Sequence, residues 1–168
     1  MALSFTVKEA TYNEADLVGH IVESVKKIFS TMIFIDDIVD EYPLAKPESH
    51  FIASISGMVG LGGDFSGMVG IHIPIEFARE STASMLGMGL DELEGEDDIR
   101  DAVGEITNML AGEIKMLFSA NNLSVCLSTP SIISGSDYTV EVVSSGAAVV
   151  VPFNRNEYRF LATLQIEA

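Results

Sequence analysis

The sequence predicts an α+β fold, a mixed α/β class in which helices pack on a largely antiparallel sheet. Two stretches repeat apolar residues at alternating spacings of mostly four and three, which is the period of one helical face. Several runs rich in Ile and Val are separated by short Gly, Ser and Asn segments, a pattern typical of strands joined by turns. Because such short connections cannot cross over a sheet, consecutive strands should run antiparallel. The chain length suits one domain spanning residues 1–168.

The composition indicates a folded domain and excludes several classes of partner. Hydrophobic residues make up 48% of the chain and charged residues 20%, which is typical of globular proteins. A net charge of −16 argues against nucleic acids and anionic membrane surfaces, since both attract basic patches. No apolar run approaches the about 18 residues of a spanning helix, and residues 1–16 lack the segments of a secretory signal. We therefore expect a cytoplasmic protein that binds neither nucleic acid nor membrane.

The first part of the chain predicts a short lead-in strand at residues 3–7 and then an amphipathic helix. Asn13 suits the N-cap, because its side chain can accept a hydrogen bond from a free amide of the first turn. The apolar residues between Leu17 and Ile35 keep the helical spacing, so the helix should end at residues 36–40. Two prolines then predict a loop over residues 42–47.

Two apolar runs, residues 49–61 and 64–75, predict a β-hairpin with its turn at Gly62 and Gly63. Glycines also recur inside both strands, and a glycine within a strand usually marks the close approach of another backbone. We therefore expect a helix to lie against this hairpin. Residues 76–88 then predict a short helix that is closed by Gly87 and Gly89.

Residues 97–121 predict the helix around which the chain is organised. Its apolar face holds six residues at helical spacing: Ile99, Val103, Ile106, Leu110, Ile114 and Leu117. At about 100° per residue, four other residues form a stripe almost opposite that face: Asp101, Glu105, Asn108 and Gly112. Asn and Gly are mediocre helix formers, and an exposed face has no packing need for either. The stripe is therefore either a functional surface or a plain solvated acidic face, and geometry alone does not decide.

The rest of the chain predicts short strands at residues 123–127, 131–134, 138–144, 147–153 and 158–166. Cys126 lies within the first of these apolar runs, so we expect it to be a buried small hydrophobe and not a nucleophile. The three histidines have no second His, Cys or acid at ligand spacing, so no metal site is predicted.

Asp101, Glu105 and Asn108, followed by a proline 22 positions after the amide, resemble the signature of the CheC/CheX/FliY family of chemotaxis phosphatases. That signature has Asp or Ser, then Glu, then Asn at this spacing, with a proline at the position of Pro130. The likeness covers residues 13–166 and implies a pseudo-symmetric fold. CheC-like members carry two such motifs, but the first helix here has Glu23 with Lys26 in place of the amide. This departure implies one functional site, as in CheX-like members.

The resemblance implies an enzyme that hydrolyses the aspartyl phosphate of a CheY-like receiver domain. Asn108 would orient the attacking water, and Glu105 would pair with the receiver's phosphate-contacting lysine. Asp101 would support the interface, Pro130 would be structural, and Gly112 would be structural and leave room for docking. No cofactor is expected from this chain, because the receiver holds its own Mg²⁺.

Two alternatives to catalysis remain open. Flagellar switch proteins contain domains of the same fold that lack the acid and amide pair and only bind partners, so the chain could be a non-catalytic interaction module. A third interpretation is an acidic scaffold with a vestigial motif. By analogy with CheX-like members, which join their sheets into dimers, residues 147–151 are a candidate edge for a homodimer.

Overall fold

The computed structural model describes residues 4–42, 50–143 and 146–167, without the side chain of His50. The helices are α1 Glu14–Ile28, α2 Ile75–Leu86 and α3 Asp97–Ser119; a π-helical turn, Phe29–Ile33, continues α1, and a 3₁₀ turn, Leu90–Glu92, precedes α3. The strands are β1 Ser4–Val7, β2 Ala10–Asn13, β3 Val39–Asp40, β4 His50–Gly63, β5 Ser66–Ile73, β6 Val125–Leu127, β7 Ser131–Glu141, β8 Ala147–Arg155 and β9 Tyr158–Glu167. The predicted α+β class is confirmed.

The described residues form one seven-stranded sheet and a separate β1–β2 hairpin. The strand order is β3-β8-β9-β5-β4-β6, with β7 also paired to β4, and all of these pairings are antiparallel. The order repeats one unit twice: a helix, a strand and a hairpin occur as α1–β3–β4–β5 and again as α3–β7–β8–β9. Each unit's single strand pairs with the other unit's hairpin, and β5 pairs with β9 at the centre. This arrangement is the expected pseudo-symmetry.

The core lies between the helices and one face of the sheet. The predicted apolar face of α3 is buried, with Leu117 only partly covered and Phe118 completing it. Asn13 caps α1 as predicted, since its Oδ1 accepts a hydrogen bond of 2.8 Å from the backbone N–H of Asp16. Gly87 ends α2 in the left-handed conformation, with φ of 67°. None of the helices in the described ranges is both long enough and apolar enough to cross a membrane.

The first helix ends earlier than predicted. The chain winds into the π-helical turn after Ile28, and Phe34 then adopts a left-handed conformation with φ of 62°. The apolar spacing continues through this region, but the residues no longer share one face, because Met32 is 43% exposed. The predicted end at residues 36–40 was therefore wrong. Most of the predicted proline loop, residues 43–47, lies outside the described residues.

The predicted hairpin is present, but its turn lies at Asp64 and Phe65 and not at the two glycines. Gly62 and Gly63 extend β4 and pair with β6. The Asp64 carboxylate accepts a hydrogen bond of 2.7 Å from the backbone N–H of Ser124. The turn is therefore held by a contact with a segment about 60 residues later in the chain. Gly63 is also in close contact with that segment.

Two further predictions in the last third of the chain were wrong. Residues 131–134 and 138–144 were expected as two strands, but β7 runs continuously through residues 131–141. The irregularity at Gly135 and Ser136 is absorbed as a register shift against β4 between Ala53 and Ile55. Cys126 is exposed, not buried. Side chains alternate along a strand, and in the three-residue strand β6 it is Val125 that points to the core.

Candidate functional site on helix α3

The predicted stripe on α3 lies on the solvent side of the helix. Asp101, Glu105 and Asn108 are exposed, whereas Ile106 and Thr107 are buried. Glu105 and Asn108 are three residues apart, so they lie on adjacent turns with about 5–6 Å between their Cβ atoms. Among the described residues, neither side chain forms a hydrogen bond or an ion pair. Both polar groups are therefore available to a partner.

Gly112 continues the stripe one turn beyond Asn108. A Cβ placed on Gly112 would meet no heavy atom within 4 Å. No packing within the described chain therefore requires a glycine at this position. Because glycine costs about 0.5–1 kcal/mol relative to alanine within a helix, its presence is consistent with a surface that must stay clear for another molecule.

A close contact from the sheet holds the turn of α3 that carries the stripe. A Cβ on Gly57 of β4 would overlap the hydroxyl of Thr107 and would lie 3.2 Å from Cγ1 of Val103. The expectation that a strand glycine marks the approach of a helix is confirmed at this position. Thr107 also donates a hydrogen bond of 2.7 Å to the carbonyl of Val103. Asn108 follows Thr107 directly, so this contact fixes the distance between β4 and the turn of α3 that carries the stripe.

Pro130 lies close to Gly104 of α3. A Cβ on Gly104 would be 3.9 Å from Cβ of Pro130 and 3.7 Å from Cδ1 of Ile132. Gly104 lies one helical turn before Asn108 and about 40° from it around the axis, so this contact places Pro130 and the start of β7 beside the stripe. Gly104 was not among the residues predicted for the site. The available signal was a second glycine within a strongly predicted helix.

The first turns of α3 carry both acids and one paired cation. Asp97 and Asp98 lie in the first turn, where carboxylates are favoured by the helix dipole. Arg100 Nη2 donates a hydrogen bond of 2.8 Å to Oγ of Ser134 and lies 3.6 Å from a carboxylate oxygen of Glu96. Arg100 is therefore directed towards β7. The stripe itself keeps the negative charges of Asp101 and Glu105.

The corresponding surface of α1 differs in its charge and its partners. Lys26, which stands in place of the amide, donates a hydrogen bond of 2.8 Å to Asp40. This hydrogen bond holds the pKa of the Asp40 carboxyl below its usual value. Lys27 forms an ion pair of 2.9 Å with Glu113 of α3, and His20 Nε2 lies 2.6 Å from the backbone oxygen of Glu113. These contacts join the two helices.

The buried histidine of the sheet belongs to the packing of the fold. Nδ1 of His72 lies 2.7 Å from Oγ of Ser56, and Nε2 lies 3.2 Å from Oγ1 of Thr163. Burial lowers the pKa of His72 to about 4, so the ring is neutral near pH 7. Across the described part of the chain, no three His, Cys, Asp or Glu side chains are grouped as a metal site would require.

The sequence and the fold are similar to those of known chemotaxis proteins. A family model described as "Chemotaxis phosphatase CheX" matches residues 55–154, which include the whole stripe and Pro130. The chain is similar to a solved CheX structure from Desulfovibrio desulfuricans, with 26% identity, a TM-score of 0.78, and coverage of 90% of this chain and 99% of that chain. A putative chemotaxis protein from Desulfovibrio vulgaris Hildenborough gives 25% identity, a TM-score of 0.79, and coverage of 90% and 97%.

A third solved structure has the same fold at lower identity. It is the CheX–CheY–BeF3–Mg²⁺ complex from Borrelia burgdorferi, with 20% identity, a TM-score of 0.70, and coverage of 90% of this chain and 97% of that chain. A search among curated protein sequences gave no significant match.

Proposed function

The chain belongs to the family of the chemotaxis phosphatase CheX, and from this premise we propose that it hydrolyses the aspartyl phosphate of a CheY-like receiver domain. The observation that carries the proposal is the pair Glu105 and Asn108. Both side chains are exposed, neither has a partner among the described residues, and the opposite face of their helix is buried. A pair that contributed only to the fold would be expected to contact the rest of the chain.

Asn108 acts on the attacking water. An aspartyl phosphate is an acyl phosphate and is already labile, so a catalyst need only place water in line with the scissile bond and stabilise charge. The amide oxygen of Asn108 accepts a hydrogen bond from this water, and the amide nitrogen can donate to a phosphoryl oxygen. The water oxygen bonds to phosphorus as the bond between phosphorus and the aspartate oxygen breaks. The products are the free carboxylate and inorganic phosphate, which takes up the oxygen and both hydrogens of the water.

Glu105 sets the docked position. Its carboxylate is exposed on the turn before Asn108, so it can pair with the lysine that contacts the phosphate in a receiver domain. Docking removes water from this pair, which strengthens it relative to the weak ion pairs of an open surface. Asp101 supports the same interface one turn earlier. The Mg²⁺ of the reaction is held by the receiver, and no step requires a metal from this chain.

The fold of the Borrelia burgdorferi complex supports a receiver as the substrate. In that complex a CheX protein is bound to CheY together with BeF3 and Mg²⁺. The present chain has the same fold, as the TM-score of 0.70 indicates. A receiver domain of the CheY kind is therefore the substrate class that we propose, and the pair on α3 is the proposed point of contact.

The test is a time course of phosphate loss from Mg²⁺-loaded, phosphorylated receiver domains of the same organism. We expect Asn108→Ala to lower kcat at least 100-fold, about 2.7 kcal/mol of transition-state stabilisation. Its Kd for a receiver loaded with BeF3 and Mg²⁺ should stay within threefold, because the amide acts on water. Glu105→Ala should raise that Kd about tenfold. Glu23→Ala, the matched exposed glutamate on α1, is the control and should change neither value.

Both α3 residues are exposed, so neither variant should change the melting temperature by more than about 2 °C. A large fall in melting temperature for Asn108→Ala would show that the amide is structural. If the wild-type protein binds a receiver but accelerates hydrolysis of none, the catalytic proposal is wrong and the interaction-module hypothesis is correct.

A further inference from the structure

The exposed stripe of α3 continues beyond Gly112 to a methionine. Met116 is 65% exposed, and at about 100° per residue it lies about 20° around the helix axis from Glu105. Relative to Asn108, eight residues earlier, it lies about 12 Å along the axis and about 80° around it. Met116 therefore lies exposed at the edge of the stripe, on the side of Glu105.

The two halves of this face differ in chemistry. The half before Asn108 carries Asp101 and Glu105, whereas the half after it presents Gly112, Met116 and Ser119 together with one exposed cation, Lys115, about 20° around the axis from Asn108. Gly112 leaves open space between the amide and the methionine, since a Cβ there would touch nothing within 4 Å. A partner that reaches Asn108 can therefore continue along the helix to Met116 without an obstacle from the side chain of residue 112.

An interface of ordinary size that is centred on Asn108 would cover Met116. A stable interface buries about 800 Å² on each partner, which corresponds to a patch with a radius of about 16 Å. A patch of that size centred on Asn108 includes a residue about 12 Å away on the same face. The flexible and polarizable side chain of methionine suits a contact with apolar groups of varied shape.

We propose that Met116 is a specificity-determining contact, which packs on an apolar side chain that the cognate receiver presents about 12 Å along the α3 axis from Asn108. This inference rests on the proposed function. Receivers that share the catalytic lysine, aspartate and Mg²⁺ all satisfy Glu105 and Asn108. Contacts further from the phosphate must therefore distinguish one receiver from another. A receiver with a charged or strongly polar group opposite Met116 would have to leave that group without a partner, and it would bind more weakly.

The experiment compares Met116→Glu with Met68→Glu. Met68 is 39% exposed and lies on β5, where it alternates with the core residues Val69 and Ile71 and so faces away from the helices. Both variants add one negative charge at an exposed methionine. We expect Met116→Glu to raise KM for the phosphorylated receiver at least tenfold with kcat within twofold, and Met68→Glu to change neither by more than twofold. The conservative variant Met116→Leu should have the same KM as the wild-type protein.

Melting temperatures and sedimentation are measured on all three variants. Unchanged KM for Met116→Glu, while Asn108→Ala abolishes hydrolysis, would overturn this inference and leave the proposed function intact. Equal effects of Met116→Glu and Met68→Glu would assign the change to net charge and overturn it as well. A changed oligomeric state with unchanged KM would make a second copy of the chain the occupant of this surface. If the wild-type protein neither binds nor hydrolyses any receiver, the proposed function fails first and this inference fails with it.

Discussion

The contact between Gly57 and α3 allows a prediction in which stability and activity change together. In Gly57→Ala the new Cβ would overlap Oγ1 of Thr107, and it would lie 3.1 Å from Cβ of Thr107 and 3.2 Å from Cγ1 of Val103. Thr107 is fully buried, and its hydroxyl is held by the carbonyl of Val103, so it cannot turn away without losing that hydrogen bond. We therefore expect α3 to move away from β4.

The size of the effect follows from this overlap. Forcing extra volume into a packed core costs about 1–3 kcal/mol, and each kcal/mol lowers the melting temperature of a domain of this size by about 2–4 °C. The displaced turn carries Glu105 and Asn108. Because a shift of about 1 Å in a positioning element can cost about 100-fold in rate, hydrolysis should fall by at least tenfold while the protein remains folded.

A double-mutant cycle separates this contact from general damage. Thr107→Ala alone should destabilise the fold, because it removes a buried hydrogen bond and a buried methyl group. Combined with Gly57→Ala, however, it removes the atom that the new Cβ would strike, so the two changes should cost less together than their sum by at least about 0.5–1 kcal/mol. Urea unfolding of the four proteins measures this coupling. Additive free energies, or full hydrolysis by Gly57→Ala, would refute the idea that the sheet sets the position of the stripe.

Three further outcomes are expected from the structure. Gly112→Ala and Gly19→Ala should each stabilise the free protein by up to about 1 kcal/mol, since neither new Cβ would meet an atom within 4 Å; only Gly112→Ala should also weaken binding of the receiver. Lys26→Ala should leave hydrolysis within twofold, because Lys26 is paired with Asp40 and is not part of the site. His72 has a pKa of about 4 when folded and about 6.5 when unfolded, so the unfolded chain binds the extra proton. Its contribution to stability is therefore present above pH 6.5 and is lost as the pH falls towards 4, a loss of about 3 kcal/mol.

Each of these outcomes has a result that contradicts it. Equal receiver binding by the Gly112→Ala and Gly19→Ala proteins would mean that the open space beside Asn108 has no role in docking. Loss of turnover in a folded Lys26→Ala protein would mean that α1 carries a second site. For the histidine, urea midpoints of the wild-type protein are measured between pH 6.5 and 4.5 and compared with those of His72→Gln. If the midpoint of the variant falls with pH as steeply as that of the wild type, the pH dependence belongs to other groups.

The sequence by itself determined the helix and the chemistry of its exposed face. Asp101, Glu105, Asn108 and Gly112 lie within twelve consecutive positions, so their common orientation depends only on the 3.6-residue period of one regular helix. The buried face followed from the same period. Hydrophobic patterning and short turns likewise determined the antiparallel sheet, because the long strands β4, β5, β8 and β9 could be predicted from their own residues, although β3 was not predicted and β7 was predicted as two strands.

Tertiary structure decided everything that depends on two segments far apart in the chain. The position of the hairpin turn depends on its contact with Ser124. The distance of α3 from the sheet depends on Gly57, and the position of Pro130 depends on the space left at Gly104. The exposure of Cys126 depends on which side of β6 meets the core. A residue's own segment fixes its conformation, but its burial and contacts come from the neighbour that folding brings against it. For this reason the sequence pattern could predict the stripe, while the support beneath it had to be seen in the folded chain.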